Sequence, residues 1–185
     1  MILDIDLISD WFRPKSRVLD LGCGDGSLLS SLKQKHGILG YGLEIDPEAI
    51  SQCIARGVNV VEQDLNRGLT NFPDNSFDTV VMTQALQAMR FPHLVLDEML
   101  RIGQDCIITF PNFGYWRTRA YLNFRGRMPV TKQLAYQLYD TPNIHFFTYA
   151  DFEVLCRERS INVLHRHCIA EHFPDTQLKC CLSHT

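Results

Sequence analysis

A chain of 185 residues, 45% hydrophobic and 21% charged, is long enough to bury one continuous core without disulfides or a metal to hold it together. A formal net charge of −3 argues against a nucleic-acid binder or a protein drawn to an anionic membrane, and no run of about 18 apolar residues offers a membrane span. The seven cysteines follow neither a disulfide framework nor CxxC spacing and read as small buried hydrophobes of a reducing compartment; with an acidic N-terminus where a signal peptide is basic, the expected location is the cytoplasm.

In chain order, Leu3, Leu7, Ile8, Trp11 and Phe12 fall at helical spacing, and Pro14 stops that helix. Residues 16–21 form an apolar strand that breaks into Gly22-Cys23-Gly24-Asp25-Gly26, and 27–35 turn helical. A second strand over 38–45 precedes a helix opened by Asp46 as N-cap and Pro47 at the first helical position. A third strand, 58–63, ends at Asp64; after a turn over 72–76 comes a fourth strand, 77–82, then a helix over 92–101 and a fifth strand over 106–110. The tail carries a helix over 149–158 and two β-like runs, 161–168 and 178–183. Strands alternating with helices predict a Rossmann-like α/β fold, a mostly parallel sheet covered on both faces, with the last two runs as an antiparallel edge hairpin. No repeat or linker divides the chain, so residues 1–185 are expected to form one domain with a basic aromatic insert around 111–145.

The glycine turn carries the chemistry. A buried strand running into glycines and then a helix lets a ligand approach the backbone and meet outward amide donors. Its pattern is G-x-G-x-G, and Ser27 stands where the dinucleotide fingerprint needs Gly or Ala. Asp20 precedes the turn and Asp25 lies in it; carboxylates there are unwelcome beside a pyrophosphate and suit a ligand bearing an ammonium and a sulfonium. Glu44, ending the second strand beside Ile45, is placed to accept ribose hydroxyls. Asp64, ending the third, is placed to accept from an adenine amino group, with Leu65 beside the ring. The candidate cofactor site is Asp20, Gly22, Cys23, Gly24, Gly26, Glu44, Ile45, Asp64, Leu65 and Gln84. The structural alternatives are a solvated Glu44, an Asp64 that caps a turn, and Gln84 and Gln87 as exposed helix residues; Asp74 and Asp78 read as turn and strand-edge residues.

Val18-Leu19-Asp20-Leu21-Gly22-Cys23-Gly24-Asp25-Gly26, Gly42-Leu43-Glu44-Ile45-Asp46-Pro47-Glu48 and Phe72-Pro73-Asp74-Asn75-Ser76-Phe77-Asp78 resemble the motifs of class I S-adenosylmethionine (SAM)-dependent methyltransferases. Further on, Phe110-Pro111-Asn112-Phe113-Gly114-Tyr115-Trp116, then Arg125 to Lys132, then Tyr139 to His145, are similar to the methionine biosynthesis protein MetW family, a likeness that runs from about residue 10 to 167. The resemblance implies the class I methyltransferase fold, SAM or S-adenosylhomocysteine as cofactor, and an accessory role in methionine synthesis with a homoserine O-acyltransferase of the MetX type as partner. A SAM-dependent methyltransferase acting on an unidentified small molecule is the alternative, with no catalytic residue assigned. Met82-Thr83-Gln84-Ala85-Leu86-Gln87 stands where many amino methyltransferases carry Asn/Asp-Pro-Pro-aromatic, which disfavours N-methylation of adenine or glutamine.

Residues 106–139 hold Arg117, Arg119, Arg125, Arg127 and Lys132 and no acid, interleaved with aromatics that include Trp116, Tyr121, Phe124, Tyr136 and Tyr139. That composition suits a partner or substrate surface built from Trp116, Arg117, Tyr121, Arg125 and Arg127, with single-stranded RNA the weakest reading on an acidic chain. The alternative makes Tyr121 and Phe124 core residues of a helix and the arginines its solvated face. His165 and His167 share one strand face and read as surface histidines, so no metal is expected; His145 is a loop hydrogen-bonder or a base.

Overall fold

The computed structural model describes residues 8–128, 141–170 and 176–184. Leu3, Leu7, Lys132, Tyr136 and Tyr139, on which some expectations rest, lie outside them. The chain runs β1 (Arg17–Leu21), α1 (Ser27–His36), β2 (Leu39–Glu44), α2 (Pro47–Ala55), β3 (Asn59–Glu62), β4 (Phe77–Thr83), α3 (Pro92–Ile102), β5 (Gly103–Pro111), α4 (Trp116–Arg125), α5 (Tyr149–Glu158), β6 (Ile161–Ala170) and β7 (Thr176–His184). The strands form one sheet in the order β3-β2-β1-β4-β5-β7-β6. Strands β1 to β5 are parallel, and β7 runs antiparallel to both β5 and β6. The expected hairpin is therefore present, with its second strand inserted beside β5.

Strand alternation sorts the core into two layers. Leu19, Leu21, Val80, Met82, Ile108 and Phe110 pack against Leu96 and Met99 of α3 and Phe152 and Cys156 of α5. Val18, Val81 and Ile107, offset by one residue, pack with Leu28, Leu29 and Leu32 of α1 and Cys53 of α2. This is the period-2 alternation of a sheet buried on both faces. Asp20 falls in the Val18 register and so faces the α1 side.

Local chemistry fixes the helix ends. Asp46 accepts from the Glu48 amide at 3.0 Å ahead of Pro47, as its N-cap reading requires. Gly37 closes α1 in the left-handed conformation at φ 64°. Thr148 and Asp151 form a reciprocal capping box on α5. Helix α4 differs from the rest: of its ten residues only Thr118 is buried. Tyr121 and Phe124, which the alternative reading placed in the core, lie exposed. No helix among the described residues is long and apolar enough to cross a membrane.

The connections place the site. From β1 the chain builds outward through β2 to β3, then returns to add β4 on the other side of β1. The strand order reverses between β1 and β4, and the carboxyl ends of strands at such a reversal are where open α/β sheets bind ligands.

Candidate functional site

Gly22, Gly24 and Gly26 all sit at positive φ, 74°, 54° and 74°, but their surroundings differ. A Cβ on Gly22 would stand 3.3 Å from the Ala85 methyl, and one on Gly26 only 2.9 Å from Cys53 Sγ, whereas one on Gly24 meets nothing within 4 Å. Two of the glycines are thus required by the protein's own packing, and the third faces open space. The turn is fastened by the Gly22 and Cys23 amides, which donate to the Leu43 carbonyl at 2.9 and 3.1 Å. Arg56 pairs with the Asp25 carboxylate at 2.7 Å, and Asp25 accepts from the Ser27 amide at 3.1 Å. Asp25 therefore serves the turn itself. Cys23 Sγ lies 3.7 Å from Cys53 Sγ behind the loop; burial first, then the nearby Asp20 charge, pushes the Cys23 thiol well above its ordinary range.

Asp20 is 1% exposed, and neither carboxylate oxygen has a hydrogen-bond partner among the described residues. Burial, and secondarily the negative charge of Glu44, raise its pKa to about 7. A buried carboxylate without a partner is costly, and such groups gather at functional sites. Glu44 holds the other side of the turn: Oε2 accepts from the Gly24 amide at 2.8 Å, and Oε1 from the Ile45 and Asp46 amides at 2.8 and 3.1 Å. It is therefore not simply solvated, and its oxygens retain further acceptor sites. Ile45 beside it is 57% exposed.

Asp64 accepts from the Asn66 amide at 2.9 Å and caps a 3-10 turn over Leu65–Arg67. Leu65 is buried in the core near Leu69 and Leu86 and offers at most an edge to a ligand. Neither Gln84 nor Gln87 is an exposed helix residue. Gln84 follows β4 at φ 55°, its amide donating to the Thr109 carbonyl at 2.9 Å and its side chain to Thr109 Oγ1 at 3.3 Å. Gln87 is 5% exposed, donates to the Gln84 carbonyl at 2.6 Å, and its own carbonyl accepts from the Ile144 and His145 amides at 2.9 Å each. Sequence reasoning missed this last role. A backbone acceptor more than 50 positions from its donors leaves no local signal.

Asp20, Gly24 and Glu44 thus converge on the glycine turn, with Gln84 on the adjoining post-β4 segment. The side chains of α4 are mostly exposed. Trp116 is 63% and Phe124 83% exposed, with Tyr121 and Leu122 also exposed, so Tyr121 and Phe124 are not core residues. The Arg117 guanidinium lies 5.2 Å from the centre of the Trp116 ring. His165 and His167 flank Trp11, their rings 6.0 and 5.7 Å from it.

Five parallel strands, a glycine turn at the β1–β4 reversal and acids at the ends of the first two strands define a protein with the Rossmann-like fold of class I SAM methyltransferases. Among solved structures, magnesium protoporphyrin IX methyltransferase (ChlM) from Synechocystis PCC 6803 with bound SAH superposes with a TM-score of 0.76 at 16% identity, over 98% of this chain and 82% of that one. The [4+2]-cyclase SpnF superposes at 0.72 with 14% identity, over 97% and 80%. The chain belongs to the methionine biosynthesis protein MetW family, whose model matches residues 3–182. It is also 37% identical over 155 residues to the bifunctional methionine biosynthesis protein MetXA/MetW of Rhodopirellula baltica, covering 79% of this chain but 25% of that protein's length.

Proposed function

We propose that the protein binds SAM or S-adenosylhomocysteine at the glycine turn and serves methionine biosynthesis as an accessory to a homoserine O-acyltransferase. The buried, unpartnered carboxylate of Asp20 carries the cofactor half. An ammonium brought to that position gives Asp20 the cation that the described residues do not, and SAM presents one on its amino-acid end. Glu44 retains acceptor capacity for ribose hydroxyls, Ile45 supplies exposed apolar surface beside them, and the space at Gly24 admits the ligand against the backbone. Asp64 adds an acceptor at the end of β3 for an adenine amino group. A pyrophosphate would instead place its charge beside Asp20 and Glu44, which disfavours NAD.

When bound, SAM supplies an activated methyl group. A [4+2]-cyclase shares the fold; the alternative reading is transfer of that group to a small molecule. The accessory half rests on family membership and on the fused MetXA/MetW relative. We assign α4 as the docking surface: a helix with exposed aromatics and arginines and no acid suits an acidic partner.

Titration calorimetry tests the cofactor site. S-adenosylhomocysteine is expected to bind, NAD to give no heat, and Asp20→Asn to weaken binding by about 1.5–3 kcal/mol, the worth of a hydrogen bond to a charged group. Binding of NAD in place of both SAM and S-adenosylhomocysteine would overturn the reading. Co-purification with a homoserine O-acyltransferase, with and without SAM, tests the partner.

A further inference from the structure

A cavity of about 350 Å³ opens between the N-terminal ends of α3 and α5, and its described lining includes no residue of the glycine turn. Its walls include Leu86, Phe146, Phe147 and Phe152, and His145 and Asp151 supply its polar lining. The rings of Phe147 and Phe152 each pack 4.8 Å from the ring of Phe110, so two aromatic walls are braced from behind by a fully buried side chain. The segment carrying His145 is stitched across the chain by the two amide bonds to the Gln87 carbonyl. The volume lies at the small end of ligand sites, and the mostly apolar lining with a few convergent polar groups is the usual build of one.

The polar groups share one character. Asp151 is ionised: the Thr148 amide and hydroxyl both donate to it at 2.8 Å and hold its carboxyl below the ordinary range. His145 Nε2 is buried and has no hydrogen-bond partner among the described residues. Among the described residues, no lysine or arginine lines the cavity. A carboxylate and aromatic faces are groups that recognise an ammonium: the carboxylate by charge-assisted hydrogen bonding, the rings by cation–π attraction.

We propose that the cavity between α3 and α5 binds a small amine with an apolar or aromatic body, its ammonium directed to Asp151 and its body to Phe146 and Phe147. The site lies beyond Ala85 and Leu86 from the glycine turn, so an amine there occupies different residues from the cofactor.

The probe is phenethylamine titrated into the full chain, with 2-phenylethanol as its neutral analogue and the His145 ring resonances as readout. Phenethylamine is expected to shift those resonances saturably at millimolar concentration, and 2-phenylethanol to bind about tenfold more weakly, the equivalent of one hydrogen bond to a charge. Asp151→Asn, which keeps an acceptor at the α5 cap, is expected to remove that preference for the amine. Phe146→Ala, at an exposed wall position, is expected to weaken both probes. S-adenosylhomocysteine affinity is measured on each variant and is expected to stay unchanged, so loss of the amine site and failure of the cofactor proposal are read separately. Equal binding of amine and alcohol, no saturable shift at His145, or an amine preference that survives Asp151→Asn overturns the proposal.

Discussion

Asp20 sets the most direct test at the scale of a residue. Its pKa in the free protein, about 7, lies above the ordinary value of 3.8, so its ionisation opposes folding. The folded chain holds the proton between those values while the unfolded chain has lost it, and stability falls as pH rises through that window, by at most about 4 kcal/mol from this one group. Asp20→Asn is therefore expected to melt at a higher temperature than the parent protein at pH 8 in the absence of ligand, and to lose that advantage with saturating S-adenosylhomocysteine, as followed by calorimetry. Cofactor affinity of the parent is expected to weaken as pH drops below about 7, because the protonated acid cannot pair with an ammonium. The glycines make a second contrast. Gly24→Ala incurs mainly the strain of a positive φ, about 1 kcal/mol, and is expected to lose ligand affinity from an otherwise folded protein. Gly26→Ala adds a 2.9 Å approach to Cys53 Sγ and is expected to destabilise more, whether or not ligand is present; chemical denaturation and calorimetry on the pair separate the two.

At the scale of an element, the end of α3 is held by a single side chain. Arg101 binds both oxygens of Glu98 at 2.9 Å, Asp74 at 2.6 Å, and the carbonyls of Phe72 and Leu69 at 2.9 and 3.1 Å. One guanidinium thus joins the helix to the turn that leads into β4, using the bidentate fork that lysine lacks. Arg101→Met is expected to cost about 2–3 kcal/mol in urea unfolding, since it leaves several acceptors without a donor. Part of that contribution depends on pH. The hydrogen bond from Arg101 holds the Glu98 carboxyl below its ordinary value, so its stabilisation is present above pH about 4.5 and is lost as pH falls through the lowered value. The stability difference between Arg101→Met and the parent is therefore expected to narrow in acid.

At the scale of the whole molecule, charge is distributed unevenly. A chain of net charge −3 presents α4 with Arg117, Arg119 and Arg125 and no acid, followed by the exposed Arg127. Arg125→Glu with Arg127→Glu is expected to abolish co-purification with a homoserine O-acyltransferase while S-adenosylhomocysteine affinity stays within about twofold, and association of the parent is expected to weaken with added salt. If the double variant keeps its partner and loses cofactor, α4 belongs to the cofactor site instead. The parallel strands, the helices between them, the glycine turn and the acids closing the first strands were legible in the sequence, because each depends on periodicity or residue type within a few positions. Asp46 as a cap and Gly37 as a helix end are equally local. Tertiary structure alone decided the rest. The order β3-β2-β1-β4-β5-β7-β6 depends on which apolar faces meet, and the same meeting leaves Asp20 without a partner among the described residues and raises its pKa. It also buries Leu65, leaves Tyr121 and Phe124 in solvent, and brings His145 to the Gln87 carbonyl. Burial and long-range hydrogen bonding are properties of surfaces brought together by the fold, and a sequence records only the residues that each surface contributes.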